Sequence, residues 1–140
     1  MREILFKAKR IDNGKWIEGY YVYDNVKNKA IICATRLLYE WLPKVMWIEV
    51  DPNTIRQFTG LADKNGKKIC ENDIVLVTNK NYCSGKIESS IGNIFFTFGT
   101  WYIGGKTQDR LYSINNDTIF QIEVVGNIFD NPELLQEECK

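Results

Sequence analysis

Apolar and polar residues alternate along much of this chain. In residues 4–9, Ile4, Phe6 and Ala8 fall on one side and Leu5, Lys7 and Lys9 on the other. A period of two describes a half-exposed β-strand. Residues 16–23 repeat the pattern, with Trp16, Glu18, Tyr20 and Val22 opposed to Ile17, Gly19, Tyr21 and Tyr23. Asn13-Gly14 between them is a hairpin signal, so the two segments form a first hairpin. Residues 30–33 and 46–50 read as further short strands. Residues 35–41 fit a strand through Leu37, Tyr39 and Trp41, or a helix through Leu38, Trp41 and Leu42 capped by Thr35. The β surroundings favour the strand, and Pro43 ends either one. Asp51-Pro52 turns the chain into residues 55–58.

The second half is punctuated more heavily. Asn65-Gly66 predicts a two-residue hairpin turn, because both residue types tolerate positive φ. Residues 74–77, Ile-Val-Leu-Val, are short and rich in β-branched side chains, as a buried strand requires. Residues 86–88 and 93–98 read as strands with a turn at Ile91-Gly92-Asn93, and Gly99 marks a bend or bulge. Residues 101–103 form a strand ended by Gly104-Gly105, and residues 106–110 a polar, mobile loop. Strands at 111–114 and 119–127 follow. Residues 131–138 form a short helix, capped by Asn131, with Pro132 in its first position, Glu133 at the positive end of the dipole, and Leu134 or Leu135 docked on the sheet.

Many short strands between turns predict an all-β fold, mainly an antiparallel barrel or sandwich, with a short C-terminal helix. Residues 71–98 have the rhythm of an SH3-like sub-barrel. At 140 residues the chain has the length of a single domain. It is divisible into an aromatic-rich half, 1–60, and an SH3-like half, 61–140, that carries the C-terminal helix.

The stretch Gln57-Phe58-Thr59-Gly60-Leu61-Ala62-Asp63-Lys64-Asn65-Gly66-Lys67-Lys68-Ile69-Cys70-Glu71-Asn72-Asp73-Ile74-Val75 resembles the signature of the YopX family. These are small proteins met mainly in phages and prophages of Gram-positive bacteria, grouped by sequence similarity and not by an activity. Met1-Arg2-Glu3-Ile4-Leu5-Phe6-Lys7-Ala8 is similar to the family's opening. Asp51-Pro52-Asn53-Thr54-Ile55-Arg56-Gln57-Phe58-Thr59-Gly60 is similar to the family's middle entry into that signature. Val124-Val125-Gly126-Asn127-Ile128-Phe129-Asp130-Asn131-Pro132-Glu133-Leu134-Leu135 is similar to its ending. The candidate signature residues are Gln57, Thr59, Gly60, Leu61, Asp63, Gly66, Ile69, Glu71 and Asp73. The family pattern has Tyr where this chain has Phe58 and Gly where it has Asn72. Asn also reaches positive φ, so a turn at position 72 survives that change. No catalytic residue comes with the resemblance.

Charge and residue inventory narrow the function classes. Lys+Arg and Asp+Glu number 18 each, for a formal net charge of zero. Nucleic-acid binders usually carry an excess of positive charge, whereas near-zero charge favours self-association. A local platform of Lys80, Lys86, Lys106 and Arg110 beside Tyr82, Phe95 and Tyr102 is the alternative, weak nucleic-acid surface; solvated lysines beside core aromatics is the plainer account. With no histidine in the chain, nucleophilic catalysis lacks its usual base. Acid–base work would fall to Asp63, Glu71 and Asp73, whose plainer role is turn chemistry. No phosphate-binding or dinucleotide-binding glycine motif occurs. Cys33, Cys70, Cys83 and Cys139 form no Cys-x-x-Cys pair, so no metal or cofactor is expected. Cys33 and Cys70 read as strand or core residues and Cys139 as an exposed thiol. No apolar run approaches the roughly 18 residues of a membrane span, and the start lacks a sustained apolar stretch, so a cytoplasmic location is expected.

The aromatics point elsewhere. Trp16, Tyr20, Tyr21, Tyr23, Tyr39, Trp41 and Trp47 crowd the first half. Alternation places some on each face of their strands. Either both faces are covered, or one presents aromatics to a partner. Trp16, Tyr21, Trp41 and Trp47 are the candidate interface. The partner expected is the chain itself, as a homo-oligomer, or a phage or host protein, with binding and not catalysis as the mode of action.

Overall fold

The structure, a computed structural model, describes residues 3–39, 41–80, 83–104, 111–114 and 119–135. Among these there are eleven β-strands and two 3-10 turns, and no α-helix. Among the described residues no helix is long and apolar enough to cross a membrane. The all-β expectation holds. The strands are β1 Phe6–Lys9, β2 Trp16–Asp24, β3 Lys29–Tyr39, β4 Leu42–Glu49, β5 Arg56–Ala62, β6 Lys68–Cys70, β7 Asp73–Lys80, β8 Ile87–Thr97, β9 Thr100–Gly104, β10 Leu111–Ser113 and β11 Ile119–Asn127. They pair antiparallel in two sheets, ordered β4-β3-β2-β1-β5-β6 and β10-β9-β8-β7-β11. The chain divides into two compact units, Met1–Phe58 and Thr59–Lys140.

In the first unit the inner face of β1–β4 carries Ala8, Ala30 and Ile32, which bury with Val50 against Phe6, Ile17, Tyr21, Ile48 and Ile55. A 3-10 turn at Pro52–Thr54 closes this core. Asp51 caps it by accepting the Asn53 N–H, and Thr54 Oγ1 accepts the Lys9 N–H at 2.9 Å while donating to the Asp51 carbonyl at 2.7 Å. In the second unit Ile69, Val75, Val77, Ile94, Ile103 and Ile114 form the core, with Trp101, Ile119, Ile122 and Val124 packed on it. The second sheet runs in the order β11-β7-β8-β9-β10, and no barrel closes among the described residues.

Several local expectations are corrected. Gly92 makes no turn; it lies inside the continuous strand β8. A Cβ there would come within 2.6 Å of the Gly104 carbonyl oxygen, so glycine serves close strand packing. Pro43 does not end a strand but lies in β4, at the edge of its sheet, where a missing N–H is tolerated. The Asn65-Gly66 turn is not a two-residue primed turn, since only Gly66 has positive φ, at 80°. Instead Lys64-Asn65-Gly66 is a three-residue loop, closed by Gly66 N–H to Asp63 O at 3.0 Å and Asp63 N–H to Lys67 O at 2.8 Å. The C-terminal helix is a 3-10 turn, Pro132–Leu135, with Leu134 and Leu135 half-buried. Its expected extension through 138, the loop at 106–110, Tyr82 and Cys139 lie outside the described residues.

Candidate functional site

The signature residues come together as backbone chemistry. Asp63 directly follows β5 and is 8% exposed. Its Oδ1 accepts the N–H groups of Asn65 and Lys67, each at 2.9 Å, and its Oδ2 accepts the N–H of Val124 at 2.9 Å. Burial alone would raise this carboxyl's pKa. The three backbone donors, helped by the Lys67 charge, outweigh it and hold the pKa below the ordinary carboxylate value. Lys64 N–H donates to the Ile122 carbonyl at 3.0 Å, and Lys64 Nζ pairs with Glu123 Oε2 at 3.1 Å. The loop is therefore stitched to β11 at three points.

The other signature positions work similarly. Gly60 breaks β5 with a φ of 90°. Thr59 bridges that break, its Oγ1 donating to the Ile69 carbonyl at 2.7 Å and accepting the Leu61 N–H at 3.2 Å. Leu61 is partly exposed, Ile69 is core, and Gln57 pairs with Phe6 in the first unit. Asp73 Oδ2 accepts the Cys70 N–H at 2.8 Å, closing the β6–β7 turn. Glu71 lies half-buried in that turn. Asn72, where the family pattern has Gly, does adopt positive φ, at 65°. Its N–H donates to Ile94 O at 2.7 Å and its carbonyl accepts the Ile128 N–H at 3.0 Å. Phe58 N–H donates to Leu5 O at 2.8 Å. Each block of the resemblance is thus hydrogen-bonded to another block.

The candidate interface residues scatter over two faces. Register places Tyr20 of β2, Cys33 of β3 and Trp47 of β4 in one cross-strand row, with Val22–Ile31–Glu49 beside it and Thr35–Val45 on the far side. This is the outer face, opposite the core. Trp47 is 64% and Tyr20 60% exposed, and Val22 and Val45 are also exposed. Trp41, in the β3–β4 turn, is 77% exposed. Tyr21 lies on the inner face, its ring 5.6 Å from that of Phe6. Trp16 shares the outer face but is half-buried, with the Arg56 guanidinium 4.2 Å and Lys9 Nζ 5.3 Å from its ring centroid. Sequence reasoning put Tyr21 in the candidate set and left out Tyr20; the alternation in β2 carried the information to choose between them.

Of the residues of the nucleic-acid alternative, the described lysines lie apart from the described aromatics. Lys80 pairs with Ile87 at one end of β7–β8, next to Lys86. Phe95 stacks across on Tyr102, with centroids 6.2 Å apart, eight residues further along β8. At about 3.3 Å per residue that is roughly 26 Å away. Lys106, Arg110 and Tyr82 lie outside the described residues.

A family model described as "YopX protein" matches residues 5–136. The chain belongs to the YopX family. Among solved structures it is similar to protein EF1440 from Enterococcus faecalis, at 24% identity and a TM-score of 0.52, covering 96% of this chain and 99% of that one. That likeness concerns the fold alone. No curated protein matches the chain. The match to the YopX model takes in residues 57–75, which hold the buried carboxylates Asp63 and Asp73.

Proposed function

We propose that this YopX protein acts by binding protein through the outer face of β2, β3 and β4, and not by catalysis. A second copy of the chain is the first partner and a phage or host protein the second, in an accessory role inside the bacterial host's cytoplasm. The observation that carries the reading is the row Tyr20–Cys33–Trp47 with its neighbours Val22 and Val45: exposed aromatic and aliphatic side chains in register on one sheet face. Rigid exposed aromatics of this kind characterise interface anchors. The Lys29–Glu49 ion pair, 3.3 Å long, supplies a polar rim. Zero net charge leaves no long-range repulsion between copies. Against catalysis stands the use of Asp63 and Asp73 as acceptors for backbone amides, which leaves the Asp63 carboxylate ionised and locked.

The test is light-scattering mass after size exclusion, in reductant, over a range of concentrations. The native chain gains mass with concentration, and the Tyr20→Glu/Trp47→Glu double variant has a lower mass at each concentration. A double variant with native mass refutes the reading.

A further inference from the structure

The β8–β9 hairpin reaches past the strands on either side of it. The last residue of β8 paired with β7 is Asn93, opposite Ile74, and just beyond it the Ile94 carbonyl accepts the Asn72 N–H. β9 leaves its other neighbour at Trp101, whose carbonyl accepts the Ile114 N–H. Residues 95–100 thus form a two-stranded tongue. From Ile94 to Phe98 it extends about 13 Å, at 3.3 Å per residue.

Phe98 is its tip. Thr97 pairs with Thr100, so Phe98 and Gly99 alone make the turn. Their φ values are 49° and 74°, the two positive values that a primed turn requires. Asn, Asp or Gly suits such a position; a bulky aromatic there is an outlier. The Phe98 side chain is 88% exposed, so packing within its own chain does not offset the strain. Strain held at an exposed apolar tip points to a role outside the chain.

The surroundings of the tip select the partner. Residues 93–105 contain no charged side chain. Phe96 faces Trp101 across the hairpin, with ring centroids 5.0 Å apart, and Phe95 faces Tyr102 at 6.2 Å. Alternation places the first pair on one face of the tongue and the second pair on the other. Phe96 is exposed and the other three are half-buried. Aromatic rings therefore flank the tongue on both faces, behind the Phe98 tip. A protein cleft takes one face of such a projection, whereas a bilayer surrounds it. The sequence of rings follows the depth preferences of a bilayer, where Trp and Tyr sit at headgroup level. A two-residue turn leaves few peptide groups outside the hydrogen-bonded ladder, as an apolar medium demands. Interfacial segments sink about 5–10 Å into the headgroup and acyl boundary, a depth the tongue can reach.

We propose that the β8–β9 tip inserts into the surface of a lipid bilayer, with Phe98 deepest, and holds the protein there as a peripheral one. With no charge in the tongue, the attraction is apolar and needs no anionic lipid. The site shares no residue with the outer face of β2–β4, and so goes beyond that reading.

The test is co-sedimentation of the full chain with vesicles of zwitterionic phosphatidylcholine, at low and at high salt. The native chain is expected to sediment with the vesicles equally at both. Phe98→Asn, which suits the turn, is expected to weaken the partition about tenfold or more. Phe98→Trp retains binding, and its added fluorescence shifts to the blue with vesicles. Tyr20→Glu/Trp47→Glu binds as the native chain does, which separates the tip from the exposed aromatics of the outer face. Thermal melts verify the fold of each variant. A native chain that stays in the supernatant overturns the proposal and leaves the tip to a protein partner. So does binding that requires anionic vesicles or vanishes at high salt, a folded Phe98→Asn variant that sediments as the native chain does, or loss of binding in the double Glu variant.

Discussion

The carboxylate of Asp63 accepts a 2.9 Å hydrogen bond from the N–H of Val124, 61 positions further along the chain. The same group holds Asn65 N–H and Lys67 N–H, so one side chain ties the signature loop to β11. Asp63→Ala takes the acceptor from three donors at once. Each buried donor left unpaired costs roughly 1–3 kcal/mol, and the loop amides recover part of that from water, so a loss of about 2–4 kcal/mol is expected. Asp63→Asn keeps one acceptor oxygen and loses about 1–2 kcal/mol. Urea denaturation, with the slope unchanged, measures both.

Acid should act through the same residue. The Asp63 pKa is lowered in the folded state. Its contribution is therefore fully present above the unfolded value, about 3.9 for Asp, and is lost as pH falls through the lower folded value. Between pH 7 and pH 5 this residue adds no slope. Below about pH 4, native protein should lose stability more steeply than Asp63→Asn, as read from urea midpoints across pH.

Gly92 is needed for close approach and not for a turn. Gly92→Ala pushes a methyl into the Gly104 carbonyl oxygen, 2.6 Å from the ideal Cβ, and backbone on the neighbouring strand has nowhere to go. A loss of about 1–3 kcal/mol is expected, the usual cost of overpacking. Gly66→Ala differs in kind: nothing crowds the site, but φ is 80°. It should cost about 1–2 kcal/mol through backbone strain alone.

Phe98→Asn should stabilise the monomer. Asn tolerates the 49° φ that Phe98 is held in, and no buried contact is lost at a side chain this exposed. A gain of about 1 kcal/mol is expected, seen as a rise in Tm in dilute solution, where association does not contribute.

Period-two alternation made much of this fold legible. It separated Tyr20 from Tyr21 and identified β1 and β2, while a short β-branched run identified β7. Glycine was harder to read, because the same residue marks a turn at Gly66, a left-handed break at Gly60 and a close packing contact at Gly92. The two-residue hairpin at Phe98-Gly99 was hidden by its own residue choice, since Phe contradicts the turn it occupies. Asp63 and Asp73 were legible as turn acceptors. The Val124 partner of Asp63 was not, because no local pattern links residues 61 apart. The outer row was half legible: its face followed from alternation, but which strands stand beside β2 depends on pairing.

The most direct test of the account is hydroxyl-radical footprinting of Tyr20 and Trp47 in dilute and concentrated solution, with Tyr21 as internal reference. Tyr20 and Trp47 lie on the outer face and Tyr21 on the core face of the same sheet. The account predicts that oxidation of Tyr20 and Trp47 falls as concentration rises while that of Tyr21 stays constant. Equal oxidation of Tyr20 and Trp47 at every concentration would contradict it.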